Sequence, residues 1–211
     1  MKVYKAYAKV NVFLKITGLR NNYHEIISRF MRVNSLYDEL SFVPKSEEDF
    51  KIIGSFSCET EQNTIYKAYL ALKKSTDSKA LEKLMRTYAV KVKKSIPAFA
   101  GLGGGSSDAA TYLKMCNEVL HLGLSLNELA SIGLEVGADV PFFIYGYDSA
   151  NVSGIGEVVE EFKEELLDYE VFTPDVKIST PKIYQTYRTD FYAPIDGFKT
   201  QELKIQTLKR F

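Results

Sequence analysis

Residues 97–111 read Pro-Ala-Phe-Ala-Gly-Leu-Gly-Gly-Gly-Ser-Ser-Asp-Ala-Ala-Thr, and four of the chain's 13 glycines lie within five of these positions. Because glycine has no Cβ atom, backbone N–H groups in such a segment can approach a ligand closely. The apolar residues that follow recur at helical spacing, and the first turn of a helix adds unpaired N–H groups and the positive end of its dipole. The segment therefore predicts a cradle for a phosphate group.

Two common phosphate loops do not fit this segment. A Walker A loop ends in Gly-Lys-Ser/Thr, which is missing here, and a dinucleotide-binding fingerprint would need glycine where Ser106 stands. A flexible linker is also disfavoured, because residues 89–93 alternate as a strand before the loop and a helix follows it. The context is strand, loop and helix, as a phosphate site requires.

Polar residues elsewhere could complete such a site. Lys9 and Asn11 are two residues apart in the segment of residues 3–16, whose period of two predicts a half-buried strand or a strand pair, so they share one polar face. Taken alone, such a lysine most simply faces solvent. Asp139 lies in a short loop between a predicted helix end at Gly137 and the apolar run 142–145, which we predict to be a strand.

Length and composition predict an ordinary globular protein. The 211 residues suffice for one large or two modest domains, and 45% are hydrophobic and 26% charged. Lys plus Arg and Asp plus Glu number 27 each, so no excess of positive charge favours nucleic acid or an anionic membrane as a partner, and a small molecule is expected. Two cysteines cannot build a disulfide framework, and the N-terminus has no apolar signal region, so we expect a cytoplasmic protein.

The remaining pattern predicts the elements that would position these residues. Helices are expected after an N-cap at Asn63, through residues 81–88, after the glycine loop as far as residues 121–123, and after a capping box at residues 125–128. Further strands, and a helix that begins at Thr180-Pro181, are predicted by alternation and turn residues. The strands are residues 26–33, 40–43, 50–56, 157–162 and 170–176.

Residues 97–110 resemble the second, ATP-binding motif of the GHMP small-molecule kinases, whose general form is Pro-x-x-x-Gly-Leu-Gly-Ser/Gly-Ser-Ser. Residues 8–14, 23–24 and 137–143 resemble other motifs of the family, in the family's order, and the resemblance covers residues 8–157. In detail the four motifs are most similar to the branch that phosphorylates a cytidine-diphosphate derivative of methylerythritol. Chance agreement of four separated motifs is improbable.

This resemblance implies an α+β fold of two domains with the substrates in the cleft between them. Residues 1–152 would form an N-terminal domain like the second domain of ribosomal protein S5, and residues 153–211 a ferredoxin-like C-terminal domain. The family also carries a third motif, Gly-Ser/Thr-Gly, that closes over the nucleotide. Nothing after Gly156 looks like it, and family members are longer, so we expect residues 153–211 to be an incomplete C-terminal domain.

The implied reaction is ATP-dependent phosphorylation of the substrate's 2-hydroxyl in the non-mevalonate isoprenoid pathway, with ATP and Mg²⁺ as cofactors. By resemblance Lys9 and Asp139 are the catalytic pair, in which Asp139 accepts the hydroxyl proton and Lys9 stabilises charge. Ser107 is the expected protein oxygen near Mg²⁺. The expected ATP-binding residues are Pro97, Ala98, Gly101, Leu102, Gly103, Gly104, Gly105, Ser106 and Ser107.

The substrate's cytosine is expected to stack on aromatic side chains and to hydrogen-bond a histidine. The resemblance assigns Tyr23, His24 and Tyr184 to this role, and Asn11 to a substrate contact beside Lys9. Two alternatives stay open: a GHMP kinase that acts on another small alcohol, and a non-catalytic nucleotide-binding or RNA-binding module. The formal net charge of +0 disfavours RNA.

Overall fold

The computed structural model describes residues 2–21, 23–76, 78–164, 171–172 and 180–191. Within these ranges the chain alternates between strands and helices, as expected for an α+β protein. Thr60–Gln62 forms a 3₁₀ helix and Tyr187–Phe191 a π-helix. The strands and α-helices are β1 (Tyr4–Arg20), β2 (Tyr23–Pro44), β3 (Ile52–Ile53), α1 (Thr64–Thr76), α2 (Lys79–Thr87), β4 (Tyr88–Lys93), α3 (Gly104–Val119), α4 (Leu126–Leu134), α5 (Val140–Tyr145), β5 (Ser149–Gly154), β6 (Val158–Glu161) and α6 (Thr180–Thr186).

The long strand β2 is the axis of the sheet. On one side it pairs antiparallel with β1 along most of its length. On its other side, residues 39–44 pair with β4 and residues 26–31 pair with β5. β3 adds to β4 in parallel, and β6 adds to β5 antiparallel. Residues 26–33 and 40–43, predicted as separate strands, are parts of the single strand β2, whose pairing with β1 is interrupted only at residues 34–36.

The pairing of β1 with β2 shifts register between Tyr7 and Ala8, again between Asn11 and Phe13, and between Ile16 and Gly18. An extra residue in one strand moves the following side chains to the opposite face. The alternating apolar residues of 3–16 therefore do not all share one face: Leu14, after the extra residue Val12, is 44% exposed, whereas Ala8 is 0% exposed. The strand predicted at residues 3–16 is confirmed as β1, which continues to Arg20.

The helices pack on the sheet and enclose the main core. α3 contacts α1, α5, β1 and β2, and its buried residues include Tyr112, Leu113 and Cys116. The predicted caps are confirmed: the Asn63 side chain accepts from the Ile65 N–H at 2.9 Å, and Ser125 and Glu128 form a capping box. Among the described residues, no helix has the length and apolar character needed to cross a membrane.

The apolar run 142–145 is helical, not a strand, so our prediction for it was wrong. It belongs to α5, which has Pro141 in its first turn and ends at Gly146 in the left-handed conformation, φ 72°. Proline suits a helix start because its φ is preset and its missing N–H is not needed there. Four apolar residues in a row do not distinguish a buried strand from a buried helix. Here every residue from Val140 to Ile144 is buried.

The predicted domain boundary at residues 152–153 falls inside β5, and the sheet continues to Glu161 in β6. Residues 155–157 connect these two strands. α6 confirms the predicted helix at Thr180-Pro181. The strand predicted at residues 170–176 lies largely outside the described residues, and the division into two domains stays a prediction. Of the strand predicted at residues 50–56, only Ile52–Ile53 is present.

Leu72 and Leu70 of α1 offer a matched test of this packing. Leu72 is 0% exposed and Leu70 is 46% exposed. Leu72→Ala removes buried methyl groups and leaves a cavity, so we expect it to lower the free energy of unfolding by about 2–5 kcal/mol. Leu70→Ala should change it by less than about 0.5 kcal/mol. Urea denaturation of both variants measures the difference, and equal effects would contradict the assigned helix face.

Candidate active site

Lys9, Asn11 and Asp139 meet at the point where β1 passes the start of α5. The Lys9 Nζ lies 3.3 Å from Asp139 Oδ2 and donates to Asn11 Oδ1 at 2.7 Å. Asn11 Nδ2 in turn donates to Ser28 Oγ at 2.9 Å, and Ser28 donates to the Phe13 carbonyl oxygen. Lys9 is therefore not on a solvated sheet face. Ser28 was missed from the sequence because its relation to Asn11 depends on the pairing of β1 with β2.

The Lys9 side chain faces the edge of the main core. Its ammonium lies 4.5 Å from the centroid of the Phe30 ring, a cation–π contact at the edge of the main core. Its backbone N–H donates to the Leu102 carbonyl oxygen at 3.0 Å, which attaches β1 to the glycine loop. One residue thus connects the loop to the carboxylate of Asp139.

Asp139 is held by the chain on both sides of it. It occupies the N-cap position of α5, but its side chain accepts no capping hydrogen bond, and it is 31% exposed. The β5–β6 turn packs against the preceding residue: a Cβ on Gly156, whose φ is 124°, would lie 2.3 Å from the Ala138 carbonyl oxygen. Only glycine permits this approach. The carboxylate is therefore fixed in place while remaining open to a ligand.

The glycine loop packs closely at three positions. A Cβ on Gly103, φ 71°, would lie 2.8 Å from Phe143 Cζ and 3.2 Å from Lys9 Cγ. A Cβ on Gly104 would lie 3.0 Å from Ile96 Cγ2, and on Gly105 3.2 Å from Thr64 Oγ1. α3 begins at Gly104, so its free N–H groups open from this loop. The predicted strand, loop and helix arrangement is confirmed.

A cavity of about 430 Å³ opens beside the loop. Residues 96–105 form one wall, and the facing wall comes from residues 55–58 and 62–64, together with Lys94 and Asp108. Of the predicted ATP-binding residues, Pro97, Ala98, Gly101, Leu102, Gly103, Gly104 and Gly105 line this cavity. The facing wall carries no motif and was missed from the sequence, because only the packing of α1 on α3 brings it opposite the loop.

Three charged side chains are packed beneath the cavity. The Lys94 Nζ donates to Asp108 Oδ2 at 2.7 Å and to Asp38 Oδ2. Burial raises the pKa of Asp108 to about 7; Lys94 lowers that pKa and the Asp38 carboxylate raises it. Burial alone would lower the pKa of Lys94, but the two carboxylates raise it above its usual value. None of the three was predicted, although Asp108 directly follows the Ser-Ser of the loop.

The two serines of the loop take different positions. Ser106 lies beside Gly137, where an added Cβ would be 3.7 Å from the Ser106 hydroxyl oxygen, and so faces the segment that leads to Asp139. Ser107, the predicted Mg²⁺ neighbour, is 1% exposed, and its N–H donates to the Gly103 carbonyl oxygen at 2.8 Å. In the part of the chain that the structure describes, no three His, Cys, Asp or Glu residues converge in a metal-binding group.

Tyr23 and His24 lie at the hairpin end of β2, opposite Arg20 and Leu19, ten residues along β1 from Lys9. The His24 ring contacts Tyr187 edge-on at 6.1 Å between centroids. Burial, and then the nearby Arg188, lower the pKa of His24. Tyr23 is 62% exposed. Tyr184 belongs to α6, but its side chain lies outside the described residues. Tyr187 was not predicted.

Comparisons with known proteins give consistent matches. The profile of the GHMP kinases N terminal domain family matches residues 63–147. A 4-diphosphocytidyl-2-C-methyl-D-erythritol kinase of Sulfurimonas denitrificans is 74% identical over 97% of this chain and 78% of its own length. One of Sulfurovum sp. is 49% identical over 90% of this chain and 74% of its own length.

The fold is similar to a solved structure as well. A crystal structure of a 4-(cytidine 5'-diphospho)-2C-methyl-D-erythritol kinase matches 92% of this chain and 67% of its own chain, with 28% identity and a TM-score of 0.66. The similarity in sequence and structure thus extends over most of this chain, and residues 63–147 contain both the glycine loop and Asp139.

Proposed function

The chain belongs to the 4-diphosphocytidyl-2-C-methyl-D-erythritol kinase family of GHMP kinases, and we propose that it phosphorylates the 2-hydroxyl of 4-diphosphocytidyl-2-C-methyl-D-erythritol with ATP. It is a kinase of the non-mevalonate isoprenoid pathway. The observation that carries the proposal is the contact of 3.3 Å between Lys9 and Asp139 beside the glycine loop. A cytoplasmic location stays a prediction.

Asp139 is the proposed general base. Its uncapped, partly exposed carboxylate can accept the proton of the substrate hydroxyl as the oxygen attacks the phosphoryl group. Lys9 donates to Asn11 and lies beside Asp139, so it orients the carboxylate and places a positive charge where negative charge develops. Phosphoryl transfer depends mainly on such positioning and charge neutralisation.

The glycine loop is the proposed triphosphate site. A Cβ would meet Phe143 at Gly103 and Ile96 at Gly104, and in their place the glycine backbone lies bare. The backbone N–H groups of the loop and of the first turn of α3 can then face the phosphates. Pro97 and Ala98 line the adjoining cavity, which can accept the rest of the nucleotide. Mg²⁺, held near Ser107 and mostly by phosphate and water oxygens, would neutralise phosphate charge.

Asn11, Tyr23, His24 and Tyr184 are the proposed substrate contacts. The Asn11 side chain is oriented by Ser28 and Lys9, which leaves it next to the position of the acceptor hydroxyl. Tyr23 exposes its ring for stacking on cytosine, and the neutral form of His24 can both donate and accept a hydrogen bond at the base edge.

An ATP-consumption assay tests the substrate assignment. We expect turnover with 4-diphosphocytidyl-2-C-methyl-D-erythritol, and little with homoserine, mevalonate or galactose, because only the first carries a cytidine for the aromatic site. Identification of the product by mass spectrometry or phosphorus NMR gives the phosphorylated position. Turnover confined to one of the other three alcohols would overturn the assignment and favour a different GHMP kinase. Binding of ATP without any turnover would favour the nucleotide-binding module.

The general-base role of Asp139 has a matched control. Asp139→Asn keeps the size of the side chain but cannot accept the proton, so kcat should fall by about 10²- to 10⁴-fold with little change in ATP affinity. Asp148→Asn alters a half-exposed aspartate that pairs with Arg32 and should leave kcat unchanged. Steady-state kinetics of both variants decide the matter. Near-normal turnover in Asp139→Asn would remove Asp139 from this role.

The phosphate position is tested at Gly104. In Gly104→Val the new Cβ would lie 3.0 Å from Ile96 Cγ2, and the added methyl groups would enter the cradle. ATP affinity, measured by isothermal titration calorimetry, should fall below detection, that is by more than about 10²-fold, since the backbone N–H groups become inaccessible. A thermal unfolding curve confirms that the variant is folded. Unchanged ATP affinity would refute the placement of the phosphates.

A further inference from the structure

Ser28 is a buried serine of β2 that enters the proposed mechanism only as a neighbour of Asn11. It is 0% exposed, and its hydroxyl makes two hydrogen bonds. The hydroxyl donates to the Phe13 carbonyl oxygen at 2.5 Å and accepts from Asn11 Nδ2 at 2.9 Å. Ser28 is not among the described residues that line the cavity beside the glycine loop. Any effect of Ser28 on the reaction must therefore pass through the groups that it bonds.

The two hydrogen bonds of Ser28 have a fixed direction. A hydroxyl carries a single hydrogen and a carbonyl oxygen can only accept, so the hydrogen of Ser28 points to Phe13. Ser28 can then offer Asn11 only a lone pair. The end of the Asn11 amide that faces Ser28 is therefore its NH₂ group, and the amide oxygen is the end that faces Lys9.

Lys9 requires this orientation of the amide. An ammonium group can only donate, and Lys9 Nζ lies 2.7 Å from Asn11 Oδ1 and 3.3 Å from Asp139 Oδ2. If the amide were turned over, its NH₂ group would face the ammonium, and two donors would meet without an acceptor. Lys9 is only 5% exposed, so water cannot readily replace the lost acceptor. Lys9 would then move, and its distance to Asp139 would change.

Strand pairing places Ser28 between these two partners. Asn11 lies opposite Phe30 in the pairing of β1 with β2, and Ser28 is two residues from Phe30, so Ser28 and Asn11 share a face of the sheet. Val12 is an extra residue in β1 immediately before Phe13. An extra residue interrupts the ladder of backbone hydrogen bonds locally, which accounts for a side-chain donor at the Phe13 carbonyl oxygen.

We propose that Ser28 is a positioning residue for phosphoryl transfer: it fixes which end of the Asn11 amide faces Lys9, and thereby holds the Lys9 ammonium beside Asp139. The proposal rests on the proposed function, because it assigns the reaction to this pair. Ser28 needs no contact with either substrate and acts through Asn11. The hydroxyl at position 28 is what the reaction requires, and the rest of the side chain is not.

Ser28→Thr and Ser28→Val form a matched pair, because the two new side chains have the same shape and differ in the hydroxyl. We expect Ser28→Val to lower kcat by about 10- to 10²-fold, since a misplacement of about 1 Å can cost that much. Its dissociation constant for MgATP should stay that of the unsubstituted chain, and Ser28→Thr should retain the kcat of the unsubstituted chain. Equal kcat values in Ser28→Thr and Ser28→Val overturn the inference.

Thermal unfolding curves show whether both variants are folded. If either of them is not, Ser28→Ala replaces the pair, because it removes the hydroxyl without adding volume. Its kcat should then fall below that of the unsubstituted chain, again at unchanged affinity for MgATP. An unchanged kcat in Ser28→Ala overturns the inference in the same way.

A double-mutant cycle distinguishes positioning from a contribution to stability alone. Asn11→Ala removes the amide through which Ser28 acts, so adding Ser28→Val to Asn11→Ala should lower kcat no further. A serine that only stabilises the fold would lower kcat by the same factor with or without the Asn11 amide. Equal factors in the two backgrounds overturn the inference and leave the proposed function intact.

NMR of the free chain gives a measurement that does not depend on turnover. One of the two Nδ2 protons of Asn11 should exchange with water more slowly than the other, because it is bonded to Ser28. We expect this difference in the unsubstituted chain and in Ser28→Thr, and its loss in Ser28→Val. Its absence from the unsubstituted chain, or its persistence in Ser28→Val, overturns the inference alone. If the folded unsubstituted chain shows no turnover, the proposed function fails, and the inference fails with it.

Discussion

The site depends on one buried ammonium group, that of Lys9. A charge that is only 5% exposed must be compensated, and Lys9 obtains this from the carboxylate of Asp139, the amide oxygen of Asn11 and the face of Phe30. These partners come from three separate parts of the chain. The contacts that hold these partners in place therefore also determine the arrangement of Lys9 and Asp139 for phosphoryl transfer.

Several features of the fold serve this single requirement. β1 directs Lys9 toward Phe30, the helical start of α5 presents Asp139, and the turn at Gly156 holds the backbone beside Asp139. The backbone of Lys9 is bonded to Leu102, so the same residue links the catalytic pair to the glycine loop. Small displacements of any of these would alter the distance between the carboxylate and the phosphates.

Charge is handled differently on the two sides of the loop. On the Lys9 side the ammonium lies next to an open carboxylate, which leaves Asp139 accessible to a substrate hydroxyl. On the other side of the loop, the Lys94 ammonium donates hydrogen bonds to both Asp38 and Asp108. Its charge therefore stabilises the ends of the loop more than it attracts a ligand. The sequence position of Lys9 or Lys94 does not predict this difference, because the difference depends on which carboxylates lie next to each lysine in the fold.

The local pattern sufficed for features that depend on near neighbours in the chain. The glycine loop with its flanking strand and helix, the caps at Asn63 and Ser125, and the short helix at Thr180 are of this kind, because glycine, cap and proline effects act within a few residues. The four motifs also identified the family, since each is a local string of residues. Two errors came from the same restriction to local pattern. The run 142–145 has the same apolar composition whether it forms a strand or a helix, so composition could not decide between them. In β1, the side chains after Val12 lie on the opposite face because Val12 is an extra residue in the pairing with β2.

What the sequence by itself determined is therefore which residues could perform the chemistry: Lys9, Asp139 and the loop from Gly101 to Ser107. Only the tertiary structure decided how they meet. The burial of Lys9, the facing cavity wall at residues 55–58 and the burial of Asp108 all depend on contacts between residues far apart in the chain. Burial and strand register are properties of those contacts, and they determine both the orientation of a side chain and the cost of its charge.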